Sequence, residues 1–185
     1  MNFFGRLGLA VCIGAFTAVS GCRGQEVPAA RVFAPWDGTW RGRFEVQDAS
    51  GRTTQVLDVE QRYRSESDDL QHGEFVERDL ASGRVQTARA MNSRQGAVLR
   101  CVVEKSSGER IEHTGRAIGG GIEWWREVLG ARERFEERIV TSTSGETIYE
   151  IRGWGEYGGG PRLTFRGRYV RQPPGQLDRL ETGEP

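Results

Sequence analysis

Net charge is missing from this chain: 26 lysines and arginines face 26 aspartates and glutamates. That balance excludes the strongly basic footprint of a nucleic-acid binder. Lysine itself is nearly absent, with Lys105 the only one. The cations are therefore guanidinium forks, which either grip carboxylates and other anions or reflect arginine-rich coding. Histidine occurs only as His72 and His113, and neither stands in ligand spacing with cysteine or carboxylate, so no metal or cofactor is expected. Gly-x-Ser-x-Gly is absent, and Gly119-Gly120-Gly121 is not followed by the lysine of a phosphate-cradling loop. With no catalytic residues to assign, the chain reads as a non-enzyme. Cysteine is scarce as well, and only Cys101 lies beyond the first 22 residues. It stands in an apolar run and reads as a small buried hydrophobe.

Long apolar runs are missing except at the start, where residues 7–19 follow Arg6. Thirteen apolar or small residues are too few to span about 30 Å of hydrocarbon, but they suit the hydrophobic region of a signal peptide. Val19-Ser20-Gly21-Cys22 closes the segment and resembles the lipobox of bacterial lipoproteins. The resemblance implies diacylglycerol on Cys22, cleavage before it, and a membrane-lipid partner. The localisation it implies is the cell envelope, lipid-anchored and periplasm-facing, and the outer membrane if the source is Gram-negative. With Cys22 acylated, no internal disulfide can form.

The expected organisation is a signal peptide at 1–21, a tether at 22–35, one domain at 36–171 and a disordered tail at 172–185. The tether has two prolines and no period, and its thirteen residues after Cys22 reach roughly 45 Å when extended. Ten strand-like runs fill the domain: 40–47, 53–64, 71–79, 84–91, 97–104, 109–116, 122–128, 133–141, 147–157 and 162–171. In the first, Trp40, Phe44 and Val46 share a face; in the second, Leu57, Val59 and Tyr63 do. Glycine-rich links such as Ala81-Ser82-Gly83 and Gly158-Gly159-Gly160 supply hairpin turns. The 133–141 run (ERFEERIVT) also fits a short amphipathic helix, but its β-branched surroundings favour strand. Ten runs joined without a long crossover predict an all-β fold, an antiparallel up-and-down barrel whose closure removes exposed edges. Gly42, Gly73, Gly153, Gly155 and Gly167 fall inside runs, as bent barrel strands require.

Trp36-Asp37-Gly38-Thr39-Trp40 ahead of the first run resembles the start of a calycin barrel, the superfamily of lipocalins and fatty-acid-binding proteins, whose shared element is Gly-x-Trp. The resemblance implies that Trp40, preceded by Gly38, plugs one end of the barrel. It also implies an arginine packing across that ring, with Arg166 and Arg168 the candidates. Nitrobindin-like members hold heme through a histidine near the C-terminal strands, and none follows His113 here, which argues against heme in that mode. By fold analogy the barrel binds a small apolar ligand. Trp124, Tyr149 and Phe165 are the candidate lining residues, Trp124 pointing inward and Trp125 outward. The alternative is a filled barrel that serves as a non-enzymatic envelope interaction or assembly module, with an envelope protein as partner.

Overall fold

The computed structural model describes residues 31–173. A single 3-10 turn, Ala34–Trp36, precedes ten strands: β1 (Gly38–Gln47), β2 (Thr53–Ser67), β3 (Leu70–Asp79), β4 (Val85–Gln95) and β5 (Val98–Lys105). The second half holds β6 (Arg110–Ile118), β7 (Gly121–Val128), β8 (Ala131–Thr141), β9 (Thr147–Tyr157) and β10 (Leu163–Arg171). Each strand pairs antiparallel with its sequence neighbours, and β1 pairs with β10 to close the barrel. The 131–141 segment is strand throughout, with Glu137 opposite Ile122 on one side and Ile151 on the other. Its helix alternative is excluded because two full ladders of backbone hydrogen bonds bind it.

The outer face is a lattice of arginine–carboxylate pairs across strands. Arg41 reaches Glu60, Arg100 reaches Glu112, and Arg116 and Arg134 share Glu123. The guanidinium excess thus serves carboxylates of this same chain. Exposed pairs of this kind contribute about 0–1 kcal/mol each and mainly keep the outward face of every strand polar.

Hairpin loops at 48–52, 80–84, 106–109, 129–130 and 158–162 surround one end of the barrel, the mouth. The other end is closed by the segment before β1. Phe33, Trp36 and Trp40 are buried there with Tyr63, Tyr149 and Tyr169. Trp40 and Tyr149 meet edge to face at 5.6 Å between ring centres, a favoured aromatic geometry. The Trp40 indole donates to the Trp36 carbonyl at 2.6 Å. Gly38 opens β1 at φ +118°, a conformation that side chains rarely adopt. The buried Gln71 amide donates to the Phe33 carbonyl and to Asp37 Oδ1, each at 2.9 Å, and accepts from Asn92 at 3.0 Å. Asp37 Oδ1 also accepts from the backbone N–H of Ser65 at 2.8 Å.

Two expectations are corrected here. Residues 31–35 are not the end of a free tether, because Phe33 is only 1% exposed and the Pro35 carbonyl accepts from Arg171 at 2.6 Å. The arginine over Trp40 is Arg171, 4.5 Å from the ring centre, and not Arg166 or Arg168. Strand parity explains the difference. Position 171 lies on the inward face, two residues beyond Tyr169, and directly opposite Trp40 in the β1–β10 ladder. Arg166 and Arg168 alternate to the outer face, where Arg168 reaches Glu150 at 3.2 Å.

Candidate functional site

Above the plug the barrel encloses a cavity of about 590 Å³. Its size lies within the range of small-molecule sites. Inward glycines let the strands and rings around the cavity approach one another closely. Gly42, Gly73, Gly153, Gly155 and Gly167 are all in the strands as expected, and a methyl group at any of them would press on its neighbours. At Gly115 a Cβ would stand 2.4 Å from the Trp124 ring, so this glycine provides the space in which the indole lies.

The middle of the wall is apolar, formed by Phe44, Leu57, Val59, Phe75, Phe135, Ile151 and Phe165. Trp124, Tyr149 and Phe165, named from the sequence, all border the cavity. Trp124 is 2% exposed and Trp125 37%, as alternation in β7 requires. Tyr149 serves both regions: its ring belongs to the plug, and its buried hydroxyl finds no well-formed hydrogen bond. Gln55, Asp79, Arg84, Gln86 and Lys105 make the mouth polar. The Gln55 amide and Ser82 hold Asp79 down at about 2.

The wall also carries carboxyls that the sequence reading missed. Glu133 Oε2 lies 2.5 Å from His113 Nε2, and Glu133 Oε1 lies 3.4 Å from Arg126. Burial works to raise the Glu133 carboxyl, but His113, Tyr157 and Arg126 outweigh it and keep Glu133 below the ordinary carboxylate value. The other ring nitrogen of His113, Nδ1, is buried without a partner. His72, by contrast, is on the outside with Glu66 at 2.8 Å. The two histidines therefore never converge.

Glu137 differs from Glu133. It borders the cavity one inward position nearer the plug than Phe135, and among the described residues no basic side chain pairs with it. Burial pushes its carboxyl up to about 7, although the Tyr149 hydroxyl and Trp124 indole beside it favour the charged form. Burial likewise raises Glu77, opposed by Lys105. A signal for these residues was present. Glu133, Phe135, Glu137 and Ile139 share one parity, so any strand that turned Phe135 and Ile139 inward had to bring both glutamates with them.

No protein-family model and no curated protein matches the sequence. Among solved structures, the chain is similar to an S-type phycobiliprotein lyase, CPES, from Guillardia theta. The TM-score is 0.57 at 8% identity, covering 76% of this chain and 90% of the lyase. A designed fluorescence-activating β-barrel matches at a TM-score of 0.40 and 18% identity, covering 79% of this chain and 99% of the design. At these identities the likeness to the lyase concerns the fold alone, and the designed barrel lies below the similarity at which a fold is shared. The closed ten-strand meander with its aromatic plug is an all-β up-and-down barrel.

Proposed function

We propose that this protein is an envelope lipoprotein, acylated at Cys22, whose barrel binds a small, largely apolar ligand. The observation that carries the binding half is the cavity of about 590 Å³, walled by aromatic and aliphatic side chains and closed at one end. A filled barrel, the assembly-module alternative, has no use for that volume, since protein interiors otherwise pack densely. The anchor half rests on the sequence of residues 1–22, which lie outside the described residues, as does the tail beyond position 173. The described chain begins at the plugged end, so a tether arriving there leaves the mouth free for a ligand.

The test is direct. Organic extraction of the purified protein recovers a bound apolar molecule, or the emptied protein takes up the neutral dye Nile red. Ala90→Trp, which projects an indole into the cavity from β4, lowers that uptake by at least about tenfold. No extract and no dye uptake would end the reading. Mass spectrometry of the N-terminal peptide decides the anchor: a diacylglyceryl adduct on Cys22 supports it, and an intact leader removes it. One observation favours a second reading, acid–base chemistry on the ligand: the His113–Glu133 pair faces the cavity. Turnover of the extracted molecule that His113→Gln abolishes would decide for it.

A further inference from the structure

The floor of the cavity holds one carboxyl with no cation. Glu137 stands among the Trp124 indole, the Tyr149 hydroxyl and the Tyr63 ring, where β8 meets the plug. The other carboxylates of the wall stand nearer the mouth and are placed differently. Glu133 pairs with His113 and Arg126, Asp79 accepts hydrogen bonds from Gln55 and Ser82, and Glu77 has the Lys105 charge nearby, which only partly offsets its burial. Beside Glu137 stand only neutral groups, the Trp124 indole and the buried Tyr149 hydroxyl, which makes no well-formed hydrogen bond. An ionised carboxylate with only these neutral neighbours costs stability unless a cation completes it.

The surrounding chemistry selects what completes it. An anionic head on this floor would face Glu137 with Glu77 and Glu133 nearby in the same wall. A purely apolar head would leave Glu137 and Tyr149 as they are. A cationic head gains a counter-ion and the faces of electron-rich rings, the combination by which proteins recognise ammonium groups. Resting on the ligand-binding reading above, we infer that the cavity takes a hydrophobic organic cation, an alkyl- or aryl-ammonium whose head docks on Glu137 beneath Trp124 and Tyr149. Its apolar body then lies along Phe44, Leu57 and Phe165 toward the mouth.

Binding of such a cation depends on pH through Glu137. The titratable groups that surround it are Tyr63 on β2, Cys101 on β5, Tyr149 on β9 and Tyr169 on β10, and burial raises all four so that they stay neutral. Glu77 on β3 and the His113–Glu133 pair on β6 and β8 complete the charged wall, with Arg84 and Lys105 at the mouth. Glu137 must ionise to receive the cation, so affinity rises as pH rises through about 7.

The experiment compares three adamantyl probes by calorimetry on the full-length protein: 1-adamantyltrimethylammonium, 1-adamantanemethanol and 1-adamantanecarboxylate. The quaternary cation binds at least about tenfold more tightly than the alcohol at pH 8, as a charge-assisted contact provides. That preference shrinks by up to about tenfold at pH 6, because the cation itself does not titrate while Glu137 gains a proton. Glu137→Gln abolishes the preference and leaves the alcohol's affinity within about twofold. If Glu137→Gln does not fold, the pH profile of the unaltered protein carries the test. An alcohol or carboxylate that binds as well as the cation overturns the inference, and so does a preference that survives Glu137→Gln or ignores pH. Nile red uptake separates the two failures. Dye that enters while the cation gains nothing removes only the charge preference; exclusion of the dye and all three probes removes the binding reading as well.

Discussion

At the plugged end, Phe33, Trp36, Trp40, Tyr149 and Tyr169 are buried, with Trp36, Trp40 and Tyr169 against the Tyr149 ring, while at the mouth Leu129, Val128, Tyr157 and Val85 stand exposed around an opening. Polar groups divide in the same way. Near the plug, Asp37, Gln71, Ser65 and the Asn92 amide nitrogen hydrogen-bond one another and fasten the segment before β1, leaving Asn92 Oδ1 and the Trp36 indole nitrogen without partners. Higher in the barrel, Glu137 is a buried carboxyl with only neutral groups beside it and no cation. One short barrel thus separates the part that holds the fold from the part that keeps space open. A cavity with an unpaired carboxyl is affordable only where other contacts already fix the wall around it.

The largest effect should follow from removing the centre of the plug. Trp40→Ala leaves a void beneath Tyr149 and takes away the indole that Arg171 covers, lowering stability by about 3–5 kcal/mol in denaturant unfolding. Phe165→Ala, whose ring already borders open volume, is expected to cost less than half as much. Equal losses would show that the two regions do not differ as described.

Next comes the pH dependence of stability. Glu137 is held neutral in the folded, unliganded protein up to about 7, against an ordinary value of 4.5. Its contribution is therefore fully present below about pH 4.5 and is lost as pH rises through 7. The difference amounts to about 3 kcal/mol across that window. Glu77 acts in the same direction, whereas Glu133 is lowered and its contribution falls away only in acid below 4.5. The stability of the unaltered protein relative to Glu137→Gln, followed by urea unfolding from pH 5 to 8, isolates the Glu137 share. A difference that stays flat across that range would exclude a buried, protonated Glu137.

The smallest effect distinguishes the two ends at their cations. Arg171→Lys keeps the charge but loses the planar stack on Trp40 and the 2.6 Å bond to Pro35, and costs about 1 kcal/mol. Lys105→Ala at the mouth removes an exposed pair with Glu109 and costs about half of that or less. Thermal melts of the two variants rank them, and a larger loss for Lys105→Ala would reverse the assignment of structural load.

Much of the barrel was legible because period-two patterning and glycine-rich turns are local. Leu57, Val59 and Tyr63 on one face, or Ser106-Ser107-Gly108 between two runs, require no knowledge of the rest of the molecule. Arg171 was missed because its relation to Trp40 depends on the register between the first and last strands, which 130 residues of intervening chain set. Phe33 was missed because a short segment before the first strand carries no period of its own. Glu133 and Glu137 were passed over because charge in an alternating run is read as outward, although their parity with Phe135 and Ile139 already placed them inside.

The order of residues alone determined ten alternating strands, their hairpin links and the inward tryptophan of the first strand, since these follow from side-chain parity and turn chemistry within a few residues. Only closure of the sheet decided that a chain segment and an arginine from opposite termini cap one end, that an open volume remains above them, and that a glutamate on its floor has no counter-ion. The reason is geometric: what a side chain meets across a barrel depends on strand stagger and on the sizes of residues far away in sequence, which no local pattern records.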